Sequence, residues 1–238
     1  MSSVFVVMPA YNEEANIEET VKAWYPIVAK NAASRLVVAD SGSTDGTHKI
    51  LLALKKKYPK IEILSKTGKY HGPKVIALYK YAIRKKADWI FQTDSDGQTD
   101  PAEFKAFWEA RAKYDAILGK RTERGDGKDR AFVERVVCRL LKHYFGVKVP
   151  DANAPFRLMK TELVAKYIDR LDDDYDLPNI MFTTFFAYYK EKIEFKEISF
   201  KPRNGGKNSI NIRKIVKIGW NALGGFRKFK KDMKRDER

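Results

Sequence analysis

The chain has 238 residues, 44% of them hydrophobic, enough to bury a sizeable core as one large α/β domain but too few for two full domains. A formal charge of +16 predicts attraction to something anionic, whether nucleic acid, membrane phospholipid or a phosphorylated substrate. A single cysteine, Cys138, excludes an intrachain disulfide and a cysteine-built zinc site, fits a reducing compartment and reads as a small core residue.

In chain order, Val4 to Met8 is a continuous apolar run, as expected of a strand buried on both faces of a parallel sheet, and Pro9 stops it. The run is too short for the apolar region of a signal peptide, and no stretch approaches a transmembrane span. From Glu13 to Asn31 apolar residues recur at helical spacing (Ile17, Val21, Trp24, Ile27, Val28), with acids in the first turn that complement the helix dipole. The pattern repeats: Leu36 to Ala39 forms a strand ending at Asp40, and a Ser41–Gly46 turn leads to a helix through Leu51 and Leu54. Ile61 to Leu64 is a third strand, Lys74 to Lys86 a third helix, and Trp89 to Thr93 a fourth strand.

That fourth strand opens into Asp94-Ser95-Asp96-Gly97-Gln98. Side chains alternate along a strand, so Asp94 and Asp96 can point the same way and offer oxygens to a hard cation such as Mg²⁺ or Mn²⁺, with Gln98 as a neutral third ligand. The competing reading is a turn and helix cap before Pro101. Alternating strands and helices imply right-handed crossovers and a mainly parallel sheet whose ligands gather at the carboxyl ends of its strands. Three polar exits, Pro9-Ala10-Tyr11-Asn12-Glu13, Asp40 and Asp94 with Asp96, then share one rim and suggest a nucleotide site. No Gly-x-Gly-x-x-Gly or Gly-Lys-Ser/Thr loop follows the first strand, which argues against a dinucleotide enzyme or a P-loop NTPase.

Met8 to Glu14, Asp40 to Thr47 and Thr93 to Gln98 together resemble the signature segments of family 2 glycosyltransferases of GT-A fold. The resemblance implies a Rossmann-like, mainly parallel twisted sheet flanked by helices, and inverting transfer of a sugar from a nucleotide diphosphate sugar, GDP- or UDP-linked. It implies that Pro9, Ala10, Tyr11, Glu13 and Lys74 belong to the donor site, that Asp40 accepts a hydrogen bond from the base, and that Asp94 and Asp96 hold the metal. Asp40 as a cap of its own turn is the alternative.

In the second half, Ala116 to Gly119 is a fifth strand, followed by a polar loop, Lys120 to Arg130, that either closes over substrate or is a solvated connection. A helix with Val133, Val136, Val137, Leu140 and Leu141 follows, then the Asp151–Leu158 segment, a helix from about Thr161, another after Asp176-Leu177-Pro178-Asn179, a strand from Ile193 to Phe200, and a basic turn from Arg203 to Ser209. Arg121, Arg130, Asp151 to Arg157 and Arg203 are similar to the polyprenyl-phosphate sugar synthase branch, which contains dolichol-phosphate mannose synthase. That resemblance implies that Arg121, Arg130 and Arg203 meet the acceptor phosphate and donor diphosphate. The branch commonly has serine four residues after the arginine matching Arg130, where this chain has Glu134.

A hydroxyl acceptor needs a carboxylate base, whereas a phosphate is already a nucleophile. Asp176 and Asp151 are the candidate bases, with a helix cap and a partner for Arg157 as their respective alternatives. A glycan hydroxyl is therefore the competing acceptor. Residues 1–209 are expected to form the catalytic domain and 210–238 a basic amphipathic segment. Its stripe of Ile212, Ile215, Val216, Leu223 and Phe226, flanked by Trp220 and Phe229, predicts either contact with anionic lipid, peripheral on the cytoplasmic face, or docking on the core. A nucleic-acid-binding module explains the charge but not the acids on the rim.

Overall fold

The computed structural model describes residues 2–124, 127–203 and 225–236. A sheet of 7 strands has the order β3-β2-β1-β4-β6-β5-β7. Every residue of β1 (Val4–Ala10) is buried, which is why the run is apolar without alternation: helices cover both faces. β1 pairs in parallel with β2 (Arg35–Asp40) on one side and β4 (Trp89–Thr93) on the other, and β2 pairs in parallel with β3 (Ile61–Leu64). The order therefore reverses at β1, and a crevice opens between the carboxyl ends of β1 and β4.

The helices follow the expected crossovers. Trp24 and Val28 of α1 (Ile17–Ala29) and Leu51 of α2 (Thr47–Lys57) pack on one face with Phe91, Phe104, Phe107 and Phe156. α3 (His71–Arg84) covers the other face with α5 (Lys128–Phe145), α6 (Thr161–Ile168) and α7 (Pro178–Tyr188). α3 starts at His71 and not at Lys74, because Pro73 sits in the first turn, where an amide hydrogen has no intrahelical partner to lose.

Two further departures from the sequence reading have physical causes. β6 (Phe156–Lys160), which begins within the Asp151–Leu158 segment to which the sequence reading gives no element, is a strand antiparallel to both β4 and β5, so the sheet is mixed at this point. β5 runs over Ala116–Arg124, well beyond Gly119, since β7 (Ile193–Phe200) supplies a parallel ladder that holds charged residues extended, with a register irregularity between Arg121 and Glu123. Of the expected loop only 127 remains a connection among the described residues, and Arg130 lies on α5.

For the C-terminal segment the sequence leaves two alternatives. Residues 204–224, including the basic turn beyond Arg203 and the stripe from Ile212 to Leu223, lie outside the described residues. Residues 225–236 form a helix, α8, whose Phe226, Phe229 and Met233 are buried in the same core as α3 and α7. Phe226 meets Tyr144 and Phe145 of α5, and Phe229 meets Tyr175 and Phe185, with ring centroids 5.5 to 6.1 Å apart. Of the two alternatives left open for this stripe, Phe226 and Phe229 take docking on the core, because an aromatic pocket gives them the burial that lipid would have given.

Candidate active site

The rim begins with a zipper between the β1 exit and the turn after β2. Asn12 donates its backbone N–H to Ser43 Oγ (3.0 Å), and its Oδ1 accepts from Thr44 N (2.8 Å). Glu13 N donates to Thr47 Oγ1 at 2.8 Å, and Glu14 Oε2 accepts from Gly46 N at 2.9 Å. These local polar residues satisfy a backbone that neither helix nor strand can pair. Asp40 is buried beneath them: Oδ1 accepts from Ser43 Oγ at 2.5 Å, and Oδ2 lies 2.9 Å from His48 Nδ1. Its turn-capping role and a role toward a base are compatible, since each carboxylate oxygen has a further lone pair.

Lys74 lies under the β1 exit, only 1% exposed, and donates to the Ala10 carbonyl at 2.5 Å. Its ammonium is 5.1 Å from the centre of the half-buried Tyr11 ring. Burial pushes it down from 10.5 to about 8, a fall that the charge of Asp40 partly offsets. Pro9 joins the β4 exit, its carbonyl accepting from Ser95 Oγ at 2.8 Å.

At that exit Asp94 is partly exposed and Asp96 more enclosed, with Gly97 at φ +75 turning the chain between Asp96 and Gln98. Burial first, and then the charges of Asp94 and Glu13, push Asp96 up to about 7, although Gln98 N donates to its Oδ1 at 3.1 Å. Glu13 is also raised, by burial, even though its Oε2 accepts from Asn16 (3.1 Å) and from Arg203 Nη2 (2.6 Å). Three carboxylates thus oppose one another here, with Arg203 the cation that offsets them. Gln98 is buried and donates its amide to the Lys201 carbonyl at 2.7 Å, which ties the β4 exit to the chain leaving β7.

Among the described residues no three His, Cys, Asp or Glu side chains form a ready-made metal centre. The donor set nevertheless fits a hard divalent cation: Asp94 and Asp96 carry oxygens at one exit, and a positive ion would offset the carboxylate charges that add to burial in lifting Asp96.

Arg121 and Asp151 sit in a separate buried knot. Arg121 donates through Nε and Nη2 to both oxygens of Asp151 (2.8 and 2.9 Å) and through Nη2 to Glu134 (3.1 Å), whose other oxygen accepts from Ala152 N (2.7 Å). Asp151 is held below the usual carboxylate range by Arg121, against burial that raises it, so it is a weak base. The fully buried Arg157 donates to the Asn179 carbonyl at 2.7 Å and to Thr183, and the charges of Asp151 and Glu134 support it against a downward shift from burial. Two arginines and two acids therefore balance. Arg130 is partly exposed on α5, and Asp176 is exposed just before α7.

The structure therefore gathers Pro9, Ala10, Tyr11, Glu13, Asp40, Lys74, Asp94, Asp96, Gln98 and Arg203 on one rim, and places Arg121 with Asp151 in a knot of their own. Sequence reasoning missed His48 and His71. His71, the first residue of α3, has Nε2 at 3.3 Å from Asp94 Oδ1. Gly72 beside it packs on backbone: a Cβ there would lie 2.2 Å from the Tyr175 carbonyl oxygen and 2.6 Å from that of Asp176, which brings Asp176 next to His71 in the fold. The Gly72-Pro73 pair was the available signal that a helix begins on this rim.

Known proteins share this architecture. Crystal structures of glucosyl-3-phosphoglycerate synthase from Mycobacterium tuberculosis match with TM-scores of 0.68 in the phosphoglyceric acid complex and 0.65 in the complex with Mn²⁺, UDP-glucose and glycerol 3-phosphate. The first match covers 94% of this chain and 79% of that one at 19% identity, the second 91% and 76% at 18%. Both have the GT-A fold in common with this chain. By sequence, an undecaprenyl-phosphate 4-deoxy-4-formamido-L-arabinose transferase of Pseudomonas aeruginosa is 26% identical over 68% of this chain and 48% of its own length. The chain thus matches about half the length of that relative. An uncharacterised protein of Methanocaldococcus jannaschii is 26% identical over 94% of this chain and 88% of its own. An undecaprenyl-phosphate mannosyltransferase of Micrococcus luteus is 26% identical over 50% of this chain and 48% of its own. The family model for glycosyl transferase family 2 matches residues 5–168, well over half of the chain, so the chain belongs to that family.

Proposed function

We propose that the protein transfers a sugar from a nucleoside diphosphate sugar to a polyprenyl phosphate, with inversion, using Mg²⁺ or Mn²⁺. The observation that carries the reading is the rim itself: opposed acids at the β4 exit, Arg203 facing them, and the β1 exit clamped to the turn after β2 with Asp40 and Lys74 beneath. In this reading Pro9, Ala10, Tyr11, Glu13, Asp40 and Lys74 surround base and ribose. Asp94 and Asp96, with Gln98 beside them, hold the cation. When bound, that cation supplies positive charge to the departing diphosphate. Arg203 exchanges Glu13 for phosphate oxygens, and Arg130 approaches from α5. The names of the relatives from Pseudomonas and Micrococcus support the acceptor class.

The acceptor phosphate lies at a bilayer surface, so the enzyme works against the cytoplasmic face of a membrane. No described helix is long and apolar enough to cross one, and the charge of +16 suits an anionic surface.

One observation favours a second acceptor, a glycan hydroxyl. Arg121 is spent on Asp151 and Glu134, while Asp176 stands exposed at the rim as a carboxylate that can take a proton. A panel of nucleotide sugars with Mg²⁺ or Mn²⁺, read as nucleoside diphosphate release with undecaprenyl phosphate, with a saccharide, and with neither, separates the two. Release driven by the phosphate lipid and lost in Asp96→Ala or in EDTA supports the proposal. Release driven only by saccharide and lost in Asp176→Asn establishes the second reading.

A further inference from the structure

Phe132 is a bare phenyl ring on the second turn of α5, 57% exposed, with no part in the function described so far. β6 is antiparallel to both β4 and β5, so β5 points the same way as β4, and α5, starting at Lys128 just after β5 ends at Arg124, begins at the rim that carries the site. Along α5 the exposed residues Phe132, Arg135, Arg139 and Lys142 follow one another at steps of three and four. They form one ridge, about 15 Å long at the rise of a helix. Glu134, the acid of this stretch, is turned inward onto Arg121 and Ala152 N. The Arg135 guanidinium lies 5.9 Å from the centre of the Phe132 ring, and Val136, one turn on, is partly exposed. At the far end of the ridge, Phe226 docks α8 on Tyr144 and Phe145.

We infer that the outer ridge of α5 is the surface that rests on an anionic bilayer, with Phe132 entering the acyl boundary and Arg135, Arg139 and Lys142 meeting lipid phosphates. This rests on the membrane reading of the proposed function and names the element that makes the contact. Water leaves the apolar area of the ring uncompensated, whereas the headgroup boundary buries the ring and gives each neighbouring cation an anion. The placement of Phe132 matters as much as its chemistry: it lies two residues from Arg130, the arginine assigned to approach the acceptor from α5, so a polyprenyl phosphate is met at headgroup depth while its chain stays in the hydrocarbon. Leu52 of α2, 48% exposed among Lys49, Lys55 and Lys56, has a similar composition around it but lies on the opposite face of the sheet, away from Arg130.

The test is co-sedimentation of the full chain with phosphatidylcholine vesicles, with and without phosphatidylglycerol, at about 50 and about 150 mM salt. The expected result is binding to the anionic vesicles that Phe132→Ser weakens about fivefold to tenfold at both salt concentrations, because the burial of one ring is lost and salt does not screen it. Arg135→Gln combined with Arg139→Gln should weaken binding about tenfold at the lower salt and less at the higher. Leu52→Ser, the control on the other face, should bind as the wild type does. Urea unfolding checks that each variant keeps its stability, as expected of exposed positions. Vesicle binding that Phe132→Ser leaves unaltered overturns the assignment to α5 and leaves charge alone as the contact. Loss in Leu52→Ser instead moves the contact to α2 and overturns it equally. A dimer in solution that Phe132→Ser abolishes while vesicle binding persists assigns the ridge to a second copy of the chain. If the wild type binds no vesicles yet releases nucleoside diphosphate on undecaprenyl phosphate in detergent, the ridge and the membrane contact both fall while the acceptor class stands.

Discussion

Lys74 is where fold stability and donor binding are expected to oppose each other. Its ammonium is buried, with the Ala10 carbonyl as hydrogen-bond acceptor and the Tyr11 ring 5.1 Å away, and burial brings it from 10.5 to about 8. That displacement corresponds to about 3 kcal/mol of strain on the charged form at neutral pH. The sign runs against the usual lysine. Between about pH 8 and 10.5 the unfolded chain binds the proton and the folded chain does not, so stability rises with pH across this window and the cost is fully present below it. In Lys74→Met the charge is gone but the Ala10 carbonyl is left unpaired, at about 1 to 3 kcal/mol. The two effects nearly cancel at pH 7, where the variant should lie within about 2 kcal/mol of the wild type. Between pH 7 and pH 10 the wild type should gain about 2 to 3 kcal/mol on the variant, read as the difference between urea unfolding curves at each pH. Donor affinity moves the other way: UDP binding by the wild type should weaken above pH 8 as the cation is lost, and binding by the variant should not show that step. A stability difference that is flat with pH would refute the argument, because it would mean that Lys74 is not held charged at the expense of the fold.

Glu134→Ala should cost about 3 kcal/mol in urea unfolding, since it strips a carboxylate from buried Arg121 and leaves Ala152 N–H without its acceptor, while a loss below about 1 kcal/mol would show the knot to be dispensable. Gly72→Ala should lower stability by about 1 to 3 kcal/mol, the usual cost of overpacking, because its Cβ meets backbone and not a side chain that can rotate away; an unchanged melting temperature would mean that α3 and the Tyr175 segment are free to part. Cys138, its thiol pushed up to about 12 by burial and by Glu134, should react with a disulfide reagent at pH 8 far more slowly than in urea, and equal rates would contradict its packing.

The parts of the fold that could be read in advance are those whose signal is local. β1, β2 and β4 announce themselves as largely apolar runs because both faces are covered, and Asp40 is the last residue of β2 while Asp94 directly follows β4. β6 was hidden by Arg157, a charge in mid-strand that becomes intelligible only when Thr183 and the Asn179 carbonyl arrive from α7. The charged end of β5 looked like a loop until β7 lay beside it. The same limit governs the site. Asp94 and Asp96 are two positions apart in sequence and were legible, whereas the pairing of Arg203 with Glu13 spans 190 positions, and that of His71 with Asp94 spans 23 with no periodicity to announce it.

The C-terminal helix shows why periodicity could not settle its own question. An apolar stripe is drawn to lipid and to an aromatic pocket by the same hydrophobic effect, so Phe226 and Phe229 carry the same sequence signal in either setting. With both rings and Met233 committed to the core, and Asp236 tied to Arg170 at 2.7 Å, α8 has no apolar face left to insert. Its exposed residues include Arg227, Lys228, Lys231, Lys234 and Arg235, a basic surface fixed to the domain. Such a face meets an anionic bilayer by charge alone, at up to about 1 kcal/mol per residue near the surface, and loses that attraction within a Debye length of about 8 Å in physiological salt. Under the proposed membrane-surface reading, residues 225–236 would therefore supply attraction and orientation at the headgroups rather than depth, and would do so rigidly, because Phe226 and Phe229 hold the helix against α5 and α7.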